Sequence, residues 1–311
     1  DIFERKKSIL FITKSKIKIV SVVFGKIPRE NVIAESDWNF DNLLSFILQY
    51  KKSIGNYARL LISEDFVYVI TLSFPQEAVL DRDVIRKRAQ EFIPEDLNKT
   101  IWYFKEVSNR KTLVVAAVKE LFEDISEIIT KSEVRIETIE PLSLSLARLT
   151  QKQAPPILFI YLYDKAYLTF AQKEAVFATE RLDLPLTLGK VKKFILFTKE
   201  NFEIGPKEIV FCGNTDALNL QEYEKENFRT QIQQLSPTIS LAYKEDTKDK
   251  DKKELNLELI RTFSPSPSLK IVSPKKNKLP VFWIVSIIFL IIIIALEVLL
   301  YFRFDLKLMQ K

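Results

Sequence analysis

The chain contains no histidine in 311 residues and a single cysteine, Cys212. Without histidine it cannot build a Ser-His-Asp or Cys-His nucleophilic site or a histidine-ligated metal centre. One thiol excludes an intramolecular disulfide and agrees with a reducing compartment. Glycine is also scarce, at five residues, where average usage of about 7% would give roughly twenty. Loops that cradle phosphates need backbone close to the ligand, so a chain this poor in glycine is ill suited to nucleotide chemistry. The net charge of +6 is spread thinly. Lysines alternate with acids and no basic run is interleaved with aromatics, which argues against nucleic acid as a partner. Residues 1–20 carry no apolar signal region and no cleavage site.

What the chain does have is one long apolar run. Leu279–Phe302 (LPVFWIVSIIFLIIIIALEVLLYF) holds eighteen consecutive uncharged residues to Leu296 and stays apolar past Glu297. At about 1.5 Å per residue, a helix of this length crosses a hydrocarbon core of roughly 30 Å. The alternative is a buried core helix, but a soluble helix of this length would show a polar stripe, and none precedes Glu297. The run therefore predicts a single transmembrane helix over 279–302, with Trp283 and Glu297 as its membrane-site residues. Glu297 has two readings, pairing with a polar partner in the membrane or reaching the interface. With no leader before it, residues 1–278 are expected in the cytoplasm; Lys270, Lys275, Lys276 and Lys278 against Arg303, Lys307 and Lys311 add weak support. Asp1 in place of Met and the nine residues after the span suggest a fragment, with 303–311 the start of an extracytoplasmic part.

The rest reads as α/β with an internal echo. Ser8–Phe24 is two β-rich runs around a polar turn, followed by a helix at Asp41–Tyr50 and a strand at Asp65–Leu72. Pro156–Thr179 repeats that opening, which predicts a duplicated, two-lobed architecture. Between them the pattern gives helices at Arg82–Phe92, Glu120–Lys131 and Leu142–Leu149 and strands at Thr100–Val107, Thr112–Val118 and Arg135–Ile139. Glu208–Cys212 is a short strand ending at Gly213. Lys244–Glu254 (KEDTKDKDKKE) has nothing apolar to bury and opens a linker, 244–278, in which Ser264–Ser268 is extended. Within it, Leu255–Ile260 (LNLELI) is an apolar patch.

This order of elements resembles the actin-like assembly proteins of bacterial envelope machines, PilM of type IV pili and the cytoplasmic part of GspL of type II secretion. Ile9–Val20 (ILFITKSKIKIV) overlays a first strand that in the PilM family reads roughly GIDIGSSSIKVV. Phe92–Asp96, Trp102–Val107, Leu113–Glu120 (LVVAAVKE) and Glu140–Leu149 match the family's medial segments. The resemblance implies an actin-like domain over 1–243 with an inserted α+β subdomain at about 73–140. It implies as partners the inner-membrane platform proteins and the motor ATPase; the apolar run adds the membrane, and a homodimer is left open.

The chain departs from the family where phosphates would bind. The first phosphate loop of an actin-like ATPase needs an Asp and a Gly, and Phe11 and Thr13 stand in their places. The second Asp-x-Gly falls near Ile160-Tyr161-Leu162, and the adenosine-contacting Gly-Gly is reduced to Cys212-Gly213. Asp164 is the one acid nearby, read as a turn residue or a residual metal contact. Cys212 reads as a core residue rather than a reactive thiol, and Lys192 and Lys193 as a solvated helix face. The expectation is a non-catalytic scaffold without cofactor or metal; the alternative is an actin-like ATPase polymerising at the membrane. In the family, PilM takes an extended segment of PilN. Asn256, Leu257, Leu259 and Ile260 are accordingly candidate docking residues, as though both partners were joined in one chain, with an ordinary linker patch or a last helix as the other readings.

Overall fold

A computed structural model describes residues 6–242, apart from 25–27, 76–80, 109, 151–154, 173–174, 217, 219, 225–227 and 233–235. The expected span at 279–302, the linker at 244–278 and the docking candidates Asn256, Leu257, Leu259 and Ile260 lie outside the described residues, as do Trp283 and Glu297. Among the described residues no helix is long and apolar enough to cross a membrane.

The chain opens as an antiparallel meander of β1 (Lys6–Ile12), β2 (Lys16–Val23) and β3 (Arg29–Asp37), followed by α1 (Phe40–Ile54). Asn39 sets the start of α1: its side chain accepts from the Asp41 and Asn42 amides, while the Asn42 side chain accepts from the Asn39 amide. These bonds satisfy donors that the first turn leaves unpaired. Leu43, Ile47 and Ile54 are the buried stripe, and Gly55 at φ 83° ends the helix. β4 (Tyr57–Ile62) then runs parallel to β1, with Ile12 opposite Ile62.

Next come β5 (Val67–Ser73), α2 (Arg82–Gln90), a 3-10 turn at Leu97–Lys99, β6 (Thr100–Ser108), β7 (Lys111–Val118), α3 (Lys119–Lys131), β8 (Arg135–Pro141) and α4 (Leu142–Ala147). The second half repeats the first: β9 (Ile157–Leu162), β10 (Ala166–Gln172), β11 (Ala175–Leu182), α5 (Leu188–Phe202), β12 (Glu208–Gly213), α6 (Leu220–Glu224), β13 (Arg229–Ile232) and α7 (Pro237–Ala242). Two five-stranded sheets result, ordered β3-β2-β1-β4-β8 and β11-β10-β9-β12-β13, with a smaller sheet β5-β7-β6. The matching orders are those of one unit duplicated, and each lobe ends in a short helix, α4 or α7.

The cores explain the strand sequences. β9 (ILFIYL) is buried along its whole length, because both faces of its sheet are covered. One face carries Leu158, Ile160, Leu162, Phe194, Ile195 and Phe211. The other meets the first lobe, where Ile9, Phe11 and Leu61 pack with Phe159, Tyr161, Tyr167 and Cys212 around Leu142, Leu146, Ile239 and Leu241 of α4 and α7. Burying each such side chain contributes about 1.5–3 kcal/mol relative to exposure, so this shared core holds the two lobes as one body.

Two buried arginines fix α7 inside it. Arg59, 1% exposed, donates from Nη1 to the Leu241 and Ala242 carbonyls at 2.6 and 3.2 Å. Arg148 donates to the Ser240 carbonyl at 3.2 Å and pairs with buried Glu140. Positive charge at a helix C-terminus satisfies carbonyls that have no partner within the helix.

Candidate functional site

The two hairpin turns, β1–β2 and β9–β10, meet at the junction of the lobes. In the first, the Thr13 amide donates to the Lys16 carbonyl at 2.9 Å; in the second, the Tyr163 amide donates to the Lys165 carbonyl at 2.9 Å. Pairing Ile12 with Ile17 and Leu162 with Ala166 makes the hairpins counterparts. Tyr161 and Tyr163 are therefore the counterparts of Phe11 and Thr13, one residue beyond the Ile160 and Leu162 that the sequence pointed to. The pleat gives the reason. Ile160 and Leu162 turn into the core against α5, whereas Tyr161 faces Phe11 between the lobes, ring centroids 5.8 Å apart. Tyr163 also lies against Phe11, at 5.3 Å.

Asp164 joins the turns directly. Its carboxylate accepts from the hydroxyls of Thr13 at 2.5 Å and Ser15 at 2.7 Å, both from the opposite lobe, and from Tyr167 at 2.9 Å. Tyr167 also bonds Asp65 at 2.9 Å, and Asp65 accepts from Ser63 at 2.7 Å, the Lys14 amide at 3.3 Å and Arg181 at 3.3 Å. Burial first, then Asp65 and Asp164, push the Tyr167 phenol well above its ordinary value, which keeps it a neutral donor. Each turn is thus tied across the lobes by side chains of the protein itself.

Beside the turns opens a cavity of about 600 Å³, lined by residues that include Lys16, Lys18, Glu30, Glu35, Asp164 and Gly213. Its lining sets three carboxylates against two ammonium groups. Both lysines are engaged, Lys18 with Glu30 at 3.2 Å and Lys16 with Glu35 at 3.3 Å; Ser236 and Thr238 complete the shell of Glu30. Gly213 sits at the end of β12 with φ +83°, and a Cβ there would fall 2.2 Å from the Leu162 carbonyl oxygen. This glycine serves the close approach of β12 to β9. Burial pushes the Cys212 thiol up to about 12, so it stays protonated in the core.

One further carboxyl lies under this network. Glu64 is buried; Oε1 accepts from the Ser143 amide at 2.7 Å and Oε2 has no protein partner among the described residues. Desolvation raises its carboxyl from 4.5 to about 7, against the lowering effect of Ser143. Among the described residues no group of three or more Cys, Asp and Glu side chains converges to hold a metal ion. Sequence reasoning named Phe11, Thr13, Asp164 and Gly213, and all four meet here. It did not foresee Ser15, Asp65, Tyr163 or Tyr167, whose partners are set by long-range pairing that no local pattern announces.

The architecture is an actin-like α/β fold, two similar lobes with the hairpin turns at their junction. The solved PilM-PilN type IV pilus biogenesis complex matches it with a TM-score of 0.57 at 12% identity, over 77% of this chain and 90% of that chain. The cytoplasmic domain of EpsL, an inner membrane component of the type II secretion system of Vibrio cholerae, matches with a TM-score of 0.52 at 10% identity, over 76% and 93%. A Bacteroides thetaiotaomicron protein with an actin-like ATPase fold follows with a TM-score of 0.46 at 8% identity, over 77% and 95%. No family model and no curated protein matches the sequence.

Proposed function

We propose that this chain is a non-catalytic, membrane-anchored scaffold of a type IV pilus or type II secretion inner-membrane assembly platform, coupling a cytoplasmic motor ATPase to envelope components. The observation that carries the reading is the Asp164 bridge to Thr13 and Ser15. In this fold the two turns are where phosphates would be held, and here the Asp164 carboxylate is taken up by hydroxyls of Thr13, Ser15 and Tyr167, which close the junction with the protein's own groups. The acid-rich cavity lies beside it. The fold shared with PilM and the EpsL cytoplasmic domain supports the choice of machine. In this reading residues 279–302 cross the inner membrane once with residues 1–278 in the cytoplasm, and 244–278 tether the domain to them. Leu255–Ile260 docks on the domain through Asn256, Leu257, Leu259 and Ile260; a tether of this kind raises the local concentration to about millimolar. Leu257→Asp with Leu259→Asp should then lower the melting temperature of the domain, and an unchanged value would leave the segment a plain linker.

The rival reading, an ATPase polymerising beneath the membrane, draws on the cavity and the surviving Gly213. Calorimetric titration of the full chain in detergent with magnesium and ATP separates the two. The scaffold reading expects no binding below millimolar nucleotide; affinity near micromolar would overturn it.

A further inference from the structure

The outer strand of a sheet presents unpaired N–H and C=O groups, and proteins blunt such edges with charge, brevity, bulges or cover. Most outer strands here are blunted. β3 carries Arg29, Glu30, Glu35 and Asp37, and its ladder to β2 is interrupted between Ile19 and Val20. β13 has four residues. β8 holds Arg135, Glu137 and Glu140 and ends on Pro141. β5 and β11 lie against each other. β6 differs over most of its length: Thr100–Glu106 pairs with β7 without interruption, the register shifting only between Glu106 and Ser108, there is no charge from Thr100 to Phe104, and no strand lies on its outer side among the described residues.

The side chains along β6 give that edge a polarity of its own. Alternation places Trp102, Phe104 and Glu106 on the face under α2, and the Trp102 and Phe104 rings lie 5.8 Å apart. Arg82 of α2 holds its guanidinium over the Trp102 ring at 4.6 Å, at a cavity of about 420 Å³ that Arg86 and Asn98 also line. Glu106 is exposed at the other end of the strand. One strand thus carries a cation beside one end and an anion at the other.

We propose that β6 is a self-complementary dimer edge, two copies of this chain pairing antiparallel through it with the two-fold axis at Phe104. Within the regular part of the strand, Tyr103 then faces the partner's Lys105, and Trp102 faces the partner's Glu106. That last pairing brings the partner's Glu106 beside Arg82, twice by symmetry. Neighbouring registers lose this match. An axis at Lys105 sets two ammonium groups against each other, and an axis at Tyr103 moves Glu106 from Trp102, over whose ring Arg82 lies, to Thr100. The main-chain bonds join the two small sheets into one, and the inference stands whether or not the functional reading above does.

The axis gives a site-specific test. A cysteine at 104 lies opposite its own copy, within disulfide reach, while Cys212 is buried and protonated and stays silent. With the full chain in lipid nanodiscs under mild oxidant, Phe104→Cys should form a linked dimer at least about tenfold faster than Val107→Cys or the exposed helix control Lys87→Cys. In the Phe104→Cys background, Arg82→Glu or Glu106→Arg alone should slow linkage about tenfold and the two together restore it, the change expected if the two ion pairs together contribute about 1.4 kcal/mol. Equal linkage rates at 104 and 87, or no restoration by the double charge reversal, would overturn the dimer edge, as would the strand of a different protein found paired with β6.

Discussion

Replacing Asp164 with alanine removes the acceptor that three hydroxyls share, and the local geometry fixes how much each loss weighs. Ser15 is exposed and water takes the place of its bond, so it contributes little. Tyr167 keeps Asp65 at 2.9 Å. Thr13 is buried, and its remaining side-chain acceptor is the Lys16 carbonyl at 3.4 Å, a poor substitute for a carboxylate at 2.5 Å. A hydrogen bond to a charged group contributes about 1.5–3 kcal/mol, so Asp164→Ala should cost about 2–3 kcal/mol. In a domain of this size that is a fall in melting temperature of about 4–10 °C. Asp164→Asn, which keeps one oxygen acceptor, should lose about half as much. Thermal unfolding followed by near-ultraviolet circular dichroism reads both. The decisive comparison is the cycle with Thr13→Val: the two changes should couple by about 1 kcal/mol or more, since they remove the same bond. Additive losses, or a cost for Asp164→Ala below about 0.5 kcal/mol, would refute the bridge.

Two other expectations follow from the same region. Because the folded Glu64 carboxyl titrates near 7 rather than 4.5, the folded state binds the extra proton between those values. Stability is therefore fully present below about 4.5 and falls as pH rises through 7, by about 3 kcal/mol in total for this group. Glu64→Gln, whose amide oxygen still accepts from Ser143, should flatten that slope and stabilise the protein at pH 8; urea unfolding at pH 5 and 8 with equal wild-type and variant slopes would contradict it. Gly213→Ala should cost at least about 1–3 kcal/mol from the left-handed backbone alone, with a further loss from the Leu162 carbonyl it displaces; a neutral result in the same unfolding assay would show that β12 can shift from β9.

How far this was legible in the sequence depended on burial. Strands buried on both faces read as continuous apolar runs, so the hairpins of β1–β2 and β9–β10 and their repetition were visible, and with them the two-lobed plan. β3 was not read, because an outer strand with the sequence RENVIAESD is mostly polar. β4 was missed too: Arg59 sits in the middle of YARLLI, and its acceptors are carbonyls of α7 far along the chain. At the site, Phe11 and Thr13 were found by overlaying the first strand, since that strand stays in register. The second strand slipped by one residue, and in a strand one residue exchanges the faces. The chain's own sequence could not say that Asp164, Thr13 and Ser15 meet, because the meeting depends on how the two sheets pack.

The central claim is that Asp164 holds the two turns together without any ligand, and amide hydrogen exchange of the full chain addresses it most directly. Turns 13–16 and 163–165 should exchange as slowly as the ends of β1 and β9 in the free protein, and millimolar magnesium and ATP should leave those rates unchanged. Fast exchange at both turns in the free protein, slowed by nucleotide, would contradict the account.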